Sequence, residues 1–191
     1  MIQYPTKKKP FQYSTVSVKN RGMGFETLID ESNAFYRAQN RAIIHKKPTP
    51  IQIVKVDYPS RTKAKITEAY YKTPSTTDYN GIYKGTYIDF DVKETRSKTA
   101  FPIKNIHAHQ INHLKAVHTH DGIAFLLLYF RLHNTVYLLT FDALEPFVTR
   151  AINGRQSITY EEIQTHGYLV QQGYKPPYDY LSVVDKLIQK K

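Results

Sequence analysis

An unbroken apolar run in the second half of the chain restricts the fold more than any other feature. The run is IAFLLLYF, Ile123 to Phe130, and it is far shorter than the roughly 20 residues that a membrane-spanning helix needs. A second apolar stretch, Thr135 to Thr140, follows closely. Continuous runs of this length are typical of strands buried in a sheet with both faces covered. We therefore predict two buried strands, Ile123–Tyr129 and Thr135–Thr140.

Helical and strand patterns surround these two strands. Helices are predicted at Gly22 to Asn40, at Asn105 to His120 and near 141–151, 159–165 and 179–189. Thr86 to Glu94 alternates strictly between apolar and polar residues, as a strand with two different faces does. The order of these elements predicts an α/β fold with a mixed central sheet flanked by helices. A chain of 191 residues has the size of one domain.

Charge and composition narrow the classes of partner and of chemistry. The chain has 27 Lys and Arg against 16 Asp and Glu, a formal net charge of +11, which favours an anionic polymer or surface as partner. It has no cysteine, so a disulfide scaffold, a Cys-ligated zinc site and thiol catalysis are excluded. We expect a flexible basic arm at 1–20, one domain at 21–191, and a cytoplasmic protein without membrane contact.

Residues at about 51–73 have the pattern of a protruding β-hairpin. Two strand-like stretches, IQIVKVDY and AKITEAYYK, are separated by a turn at Pro59-Ser60. Basic and tyrosine side chains alternate along it: Lys55, Tyr58, Arg61, Lys63, Lys65, Tyr70, Tyr71 and Lys72. Two interpretations stay open, a nucleic-acid contact surface and a solvated edge hairpin whose lysines prevent aggregation.

Two acids and a lysine form the candidate catalytic constellation, Asp78, Asp91 and Lys93. Carboxylates bind hard divalent cations through oxygen, and such a cation lowers the pKa of a water and stabilises charge on a phosphate. Lys93 follows Asp91 by two residues on the predicted strand, so it shares a face with Asp91 and can orient or deprotonate the water. A predicted turn at Asn80-Gly81 would bring Asp78 near Asp91.

The same spacing has plainer explanations. Composition alone gives about one match to this acid–acid–lysine pattern in such a chain. Asp89, Asp91 and Lys93 could equally form the solvated face of an edge strand.

The predicted helix after this strand helps to decide between a catalytic site and a solvated strand face. Ile106, Gln110, Leu114 and Val117 lie on one stripe of the helix, which should face the core. A buried Gln110 needs a partner for its amide, and a metal-bound water or the backbone would supply one. A misphased stripe is the alternative.

Two histidines on the same helix suggest a different metal. His109 and His113 have the i, i+4 spacing seen in zinc sites. No third ligand can be assigned, so we favour an exposed histidine-rich helix that contacts phosphates or solvent.

Longer stretches of the sequence resemble the RecU-type Holliday junction resolvases. They are HKKPTPIQIV, RTKAKITEAYYKTPSTTDYNGIYKGTYIDF, DVKET and FPIKNIHAHQINHLK, and the similarity extends from about Arg21 to GYKPPYDYL near the C-terminus. The resemblance implies a restriction-endonuclease-like fold of the PD-(D/E)xK superfamily. It also implies a homodimeric, Mg²⁺-dependent endonuclease that resolves four-way DNA junctions by paired symmetric nicks in homologous recombination and DNA repair. Mn²⁺ is a candidate substitute for Mg²⁺.

The resemblance also assigns residues and partners. It places metal binding at Thr76, Asp78, Asp91 and Gln110, catalysis at Asp78, Asp91 and Lys93, and DNA contact at Arg21, Lys46, Arg61 and Tyr71. The hairpin at about 51–73 matches the family's stalk, which reaches into the junction. The implied partners are branched DNA and a second copy of the chain, with a recombinase as a further candidate, and the implied location is the cytoplasm at the nucleoid.

One position departs from the family pattern, which has Glu where this chain has Asp91. The lost methylene would move the carboxylate oxygens by more than about an ångström, and misplacement of that size can cost about 10²-fold in rate. Two other functions therefore stay open: a non-catalytic junction-binding recombination module, and a duplex-specific nuclease on the same fold.

Overall fold

A computed structural model describes residues 24–72 and 76–190, and within them it contains five α-helices and ten strands. The helices are α1 Phe25–Ala38, α2 Ala108–Thr119, α3 Phe141–Asn153, α4 Tyr160–His166 and α5 Leu181–Ile188. The strands are β1 Ile43–Lys46, β2 Ile51–Asp57, β3 Lys65–Tyr71, β4 Tyr79–Tyr83, β5 Thr86–Thr95, β6 Ala100–Pro102, β7 Ile123–Phe130, β8 Thr135–Thr140, β9 Ser157–Thr159 and β10 Tyr168–Val170. No helix in the described ranges is long and apolar enough to span a membrane.

A six-stranded mixed sheet lies at the centre of the fold, in the order β1-β4-β5-β7-β8-β10. Strands β5 and β7 run parallel, and the other neighbouring pairs run antiparallel. The parallel pair requires a crossover, and α2 supplies it between β5 and β7. The predicted α/β fold, with a mixed central sheet flanked by helices, is therefore confirmed.

Strand β7 separates two apolar cores, and its sequence reflects that position. Phe125 and Leu127 pack on one side with residues of α1 and α5, which we call the first core. Leu126 and Leu128 pack on the other side with residues of α2, α3 and α4, the second core. All four side chains are fully buried, and burial of each contributes roughly 1.5–3 kcal/mol. The run IAFLLLYF lacks polar alternation because neither of its faces meets water.

The predicted turn at Asn80-Gly81 is wrong, because both residues lie inside β4. The turn between β4 and β5 is at Lys84 and Gly85, whose φ angles are 49° and 77°. Gly81 is required for a steric reason, because a Cβ built there would lie 2.1 Å from the carbonyl oxygen of Ile43 on β1. The glycine thus permits close approach of two strands and does not form the turn.

Asp78 and Asp91 are nevertheless neighbours, although no turn at Asn80-Gly81 brings them together. Strands β4 and β5 pair antiparallel, with Tyr79 opposite Phe90. The residue before Tyr79 is Asp78, and the residue after Phe90 is Asp91. The register of the strands therefore brings the two carboxyl groups to the same place.

The hairpin predicted at about 51–73 is formed by β2 and β3, which pair only with each other in the described structure. Every residue of both strands is exposed, so the hairpin packs on no core. Its predicted end at residue 73 lies outside the described residues. So do the predicted arm at 1–20 and the predicted DNA-contacting residue Arg21.

Candidate active site

The polar face of β5 is buried in the middle of the sheet. The side chains of Asp89 and Asp91 have no exposed surface, and Lys93 follows them on the same face. Since β5 lies between β4 and β7, it is not an edge strand. The solvated-face explanation of this pattern is therefore wrong. Unpaired buried carboxylates would cost several kcal/mol each, so each must have partners.

Asp91 receives its partners from α2 and from β5 itself. Its Oδ1 accepts a hydrogen bond from Gln110 Nε2 at 2.7 Å. Its Oδ2 is ion-paired with the Lys93 ammonium, but the contact lacks hydrogen-bond alignment, and no other described residue donates a hydrogen bond to that oxygen. The carboxylate is thus held by a hydrogen bond at Oδ1 and by an ion pair at Oδ2.

Gln110 connects Asp91 to the start of α2. The predicted apolar stripe is confirmed, because Ile106, Gln110, Leu114 and Val117 are all buried. The amide oxygen of Gln110 accepts the main-chain N–H of His107 at 3.0 Å, which caps the helix. Since that oxygen is used in the cap and the amide N–H group faces Asp91, Gln110 here orients a carboxylate. Direct metal ligation by its side chain, implied by the resemblance, would require a different arrangement of the amide.

Asp78 supplies the second carboxyl group. It is half-buried just before β4, and the register of β4 against β5 places it beside Asp91. Burial raises the pKa of Asp91 to about 7, an effect that Lys93 opposes and the adjacent Asp78 reinforces. A cation bound between two neighbouring carboxylates would offset the repulsion between their charges.

The donor set fits a hard divalent cation. Mg²⁺ in proteins is usually bound through one or two carboxylates, with water and substrate phosphates as further ligands. Asp78 and Asp91 offer such a pair, and among the described residues Oδ2 of Asp91 is held only by its ion pair with Lys93. In residues 24–72 and 76–190, no group of three or more His, Asp or Glu side chains is gathered as a closed metal cage would require.

The lack of such a group in those ranges also counts against the zinc hypothesis. His113 bonds to Asp89 through Nε2 at 3.1 Å, and burial lowers the pKa of His109, with His107 and Lys93 adding to the effect. The i, i+4 histidine pair has no third ligand within the described ranges.

A second polar cluster beside this pair was not predicted from the sequence. We call it the Asp89 cluster, and it comprises Lys47, Thr77, Tyr87, Asp89 and His113. The Asp89 carboxylate accepts hydrogen bonds from Lys47 Nζ at 2.8 Å, from the Tyr87 hydroxyl at 2.8 Å and from the Thr77 hydroxyl, and His113 Nε2 lies 3.1 Å from it. Strand alternation placed Asp89 on this face, but Lys47 is 42 positions away in sequence, and no local pattern reveals that contact.

The residues of the site lie within a stretch of the chain that is similar to known proteins. The family model described as Recombination protein U matches residues 20–186, which include every residue of the two clusters. The chain belongs to the Recombination protein U family. The family resemblance noted from the sequence is thereby confirmed.

Relatives in this family match nearly the whole chain. The protein named Holliday junction resolvase RecU from Bacillus cytotoxicus is 52% identical over 181 residues, which are 94% of this chain and 88% of that protein. Its namesake from Staphylococcus aureus (strain MRSA252) is 51% identical over 182 residues, 95% of this chain and 88% of the relative.

Among solved structures, the Archaeoglobus fulgidus protein Hjc, a Holliday junction resolvase from an archaeal hyperthermophile, matches with a TM-score of 0.45. The identity is 11%, over 76% of this chain and 95% of that chain.

The remaining residues assigned from the family lie at different distances from the carboxylate pair. Thr76 is half-buried two positions before Asp78, and its hydroxyl donates to the carbonyl of Thr77 at 3.3 Å. Lys46, at the end of β1, is ion-paired with Glu26 at 2.8 Å and with Asp30 at 3.5 Å. Thr76 is therefore beside the site, and Lys46 is on a surface close to it.

The two other DNA-contact candidates lie on the hairpin. Arg61 is exposed in the turn between β2 and β3. Tyr71, the last residue of β3, has 84% of its surface exposed. An aromatic ring that exposed is available to stack on another molecule.

Proposed function

We propose that this protein is an Mg²⁺-dependent endonuclease that resolves four-way DNA junctions by paired, symmetric nicks. The observation that carries the proposal is the Asp78–Asp91 pair with the Lys93 ammonium against it. Support comes from relatives named Holliday junction resolvase RecU that are about half identical over more than nine-tenths of the chain. The net charge of +11 agrees with a polyanionic substrate.

Asp78 and Asp91 would hold the metal ion, with Thr76 beside them. When bound there, a divalent cation supplies Lewis acidity toward a water and charge neutralisation on the phosphate. The protein's own contribution is the placement of these oxygens: Asp91 is fixed by Gln110, and Asp78 by the register of β4 against β5.

Lys93 is the residue positioned to act on the attacking water or on the phosphate. Its ammonium already contacts Asp91, and only about a sixth of its side chain is exposed, 17%. A cation at that place would orient the water and stabilise negative charge that develops on the phosphate oxygens. Because it is preorganised by Asp91, little reorganisation accompanies the reaction.

The hairpin and a second copy of the chain would provide the selectivity for branched DNA. Arg61 would contact a phosphate, and Tyr71 would stack on an unpaired base at the crossover, a contact worth about 1–3 kcal/mol. A homodimer would place two such sites around the two-fold axis of an open junction, which explains paired cuts. A recombinase is a further candidate partner.

Cleavage of a synthetic junction tests the proposal. A four-way junction labelled at each 5′ end in turn is incubated with protein in Mg²⁺, in Mn²⁺ or in EDTA, beside a linear duplex of the same sequence. The variant Asp78→Ala removes one carboxylate. The matched control is Asp142→Ala, the same change at an exposed aspartate on α3.

We expect symmetric, metal-dependent nicks on the junction alone, lost in Asp78→Ala and retained in Asp142→Ala. Tight junction binding without nicks, in both metals, would overturn the nuclease and leave a binding module. Equal cutting of the linear duplex would instead indicate a duplex-specific nuclease on the same fold.

A further inference from the structure

The segment that carries Asp78 precedes β4 and is held by both the side chain and the main chain of Lys47. Strand β4 begins at Tyr79, so Thr77 and Asp78 precede its regular pairing. Lys47, just beyond the end of β1, holds this segment twice. Its ammonium donates to the Thr77 hydroxyl at 3.0 Å, and its main-chain N–H donates to the carbonyl of Asp78 at 2.7 Å.

The Asp89 cluster fixes Lys47 and Thr77 in turn. Lys47 and Thr77 both donate to the Asp89 carboxylate, which is fully buried. Tyr87 and His113 complete the partners of Asp89, so both of its oxygens are engaged within the cluster. The cluster thus joins β1, β5, α2 and the segment before β4 at a single carboxylate.

The polar groups of the cluster are better suited to orienting neighbouring side chains than to stabilising the fold. A buried ion pair contributes little net stability compared with apolar side chains of similar volume. Hydrogen bonds, however, are directional, and three of them converge on Thr77 and Asp89. An apolar replacement would fill the space without determining the direction of the neighbouring Asp78.

We propose that Thr77, held by Lys47 and Asp89, is a positioning residue that fixes the Asp78 carboxylate against Asp91. It acts through Asp78. For its catalytic readout the inference rests on the proposed nuclease function, but metal binding by the free protein reports on the same geometry.

Two substitutions at Thr77 separate the hydroxyl from the shape of the side chain. Thr77→Val keeps the shape and removes the hydroxyl, whereas Thr77→Ser keeps the hydroxyl. For each protein, four quantities are measured: kcat and KM for junction nicking in saturating Mg²⁺, the affinity for Mn²⁺ without DNA by electron paramagnetic resonance, junction affinity in EDTA, and the unfolding temperature.

We expect Thr77→Val to lower kcat by up to about 10²-fold, since small misplacement of a reacting group has an effect of that order. KM and junction affinity in EDTA stay unchanged, because the hairpin surface is untouched, and Mn²⁺ binding weakens. Thr77→Ser restores kcat and Mn²⁺ affinity to values close to those of the wild type. A purely structural role would not produce this division between kcat and KM.

The inference is overturned if folded Thr77→Val nicks junctions and binds Mn²⁺ like the wild type, or if Thr77→Ser is as impaired as Thr77→Val. If the wild type nicks no junction, the nuclease proposal fails separately, and Mn²⁺ affinity alone decides: weaker binding only in Thr77→Val supports the inference, and equal binding in all three proteins overturns it.

A variant of the ion pair covers the case in which Thr77→Val does not fold. Lys47→Met combined with Asp89→Asn removes both charges together, so no unpaired charge stays buried. Weaker Mn²⁺ binding by this folded double variant supports the inference, and wild-type binding overturns it.

Discussion

Gln110 Nε2 lies 2.7 Å from Oδ1 of Asp91, and this one hydrogen bond connects the crossover helix α2 to the central strand β5 at the candidate active site. The same amide group caps α2 through His107. The geometry of the Asp91 carboxylate and the start of α2 therefore depend on a single side chain.

Replacement of Gln110 by Leu should separate packing from orientation. Leucine suits the apolar stripe, but it leaves the Asp91 oxygen and the His107 N–H without partners, and each such loss costs about 1–3 kcal/mol. We expect a lower free energy of unfolding in urea and nicking reduced by up to about 10²-fold. Gln156→Leu, at an exposed glutamine, is the matched control. Unchanged activity in a destabilised Gln110→Leu would show that Asp91 needs no such support.

The raised pKa of Asp91 predicts a pH dependence of stability in EDTA. Its folded-state pKa of about 7 lies above the ordinary aspartate value near 3.9, so the protonated carboxyl favours the folded state. This contribution is fully present below about pH 4 and is lost as the pH rises through about 7, by at most about 1.4 kcal/mol per pH unit. Urea unfolding of the wild type and of Asp91→Asn from pH 4 to 8 measures it.

We expect the wild type to lose stability relative to Asp91→Asn as the pH rises in EDTA, and to lose less in Mg²⁺, because a ligand of the ionised carboxylates stabilises the folded state. Parallel stability curves for the two proteins in EDTA would contradict the shifted pKa. Curves that Mg²⁺ does not change would contradict metal binding at Asp91.

The hairpin should contribute to DNA affinity and not to folding. Arg61→Ala should lower the slope of log affinity against log salt by about one, the amount expected for one lost phosphate contact. Tyr71→Leu should weaken junction binding by about 1–3 kcal/mol through lost stacking. Neither should change the unfolding temperature, since both residues are exposed. Fluorescence anisotropy over a salt series measures junction affinity, and Lys175→Ala is the control for loss of an exposed cation. If the hairpin variants bind the junction like the wild type, the hairpin is a solvated edge and not a DNA contact.

Gly81 should be intolerant of any side chain. A Cβ there meets the backbone of Ile43 and Ile44, which cannot move without opening the β1–β4 pair. We expect Gly81→Ala to destabilise the fold by about 1–3 kcal/mol or more. Gly24→Ala, where a Cβ meets nothing within 4 Å, should have little effect. Equal unfolding midpoints for the two variants would refute the close approach.

The sequence was informative where a regular period applied. Alternation placed Asp91 and Lys93 on one face of β5, and the helical stripe identified Gln110 as a buried polar residue. Asn80-Gly81 misled because the local dipeptide is a turn signal, whereas the glycine is required by a strand nearly 40 residues earlier. Lys47 was missed for the same reason, since its partner Asp89 is distant in sequence. Strands β6, β9 and β10 have three residues each, too few for any period to show.

The two buried aspartates of β5 also restrict how the sheet can assemble. A shift of β5 by one residue would exchange its faces, placing Asp89 and Asp91 in the first core and Phe90 against α2. Such a misaligned sheet would bury two charges without partners, so it lies far above the native arrangement in free energy. A protein with leucine at both positions would lose this protection and would form mixtures of alternatively aligned sheets. Asp89 and Asp91 thus favour the native alignment of β5 over the shifted one.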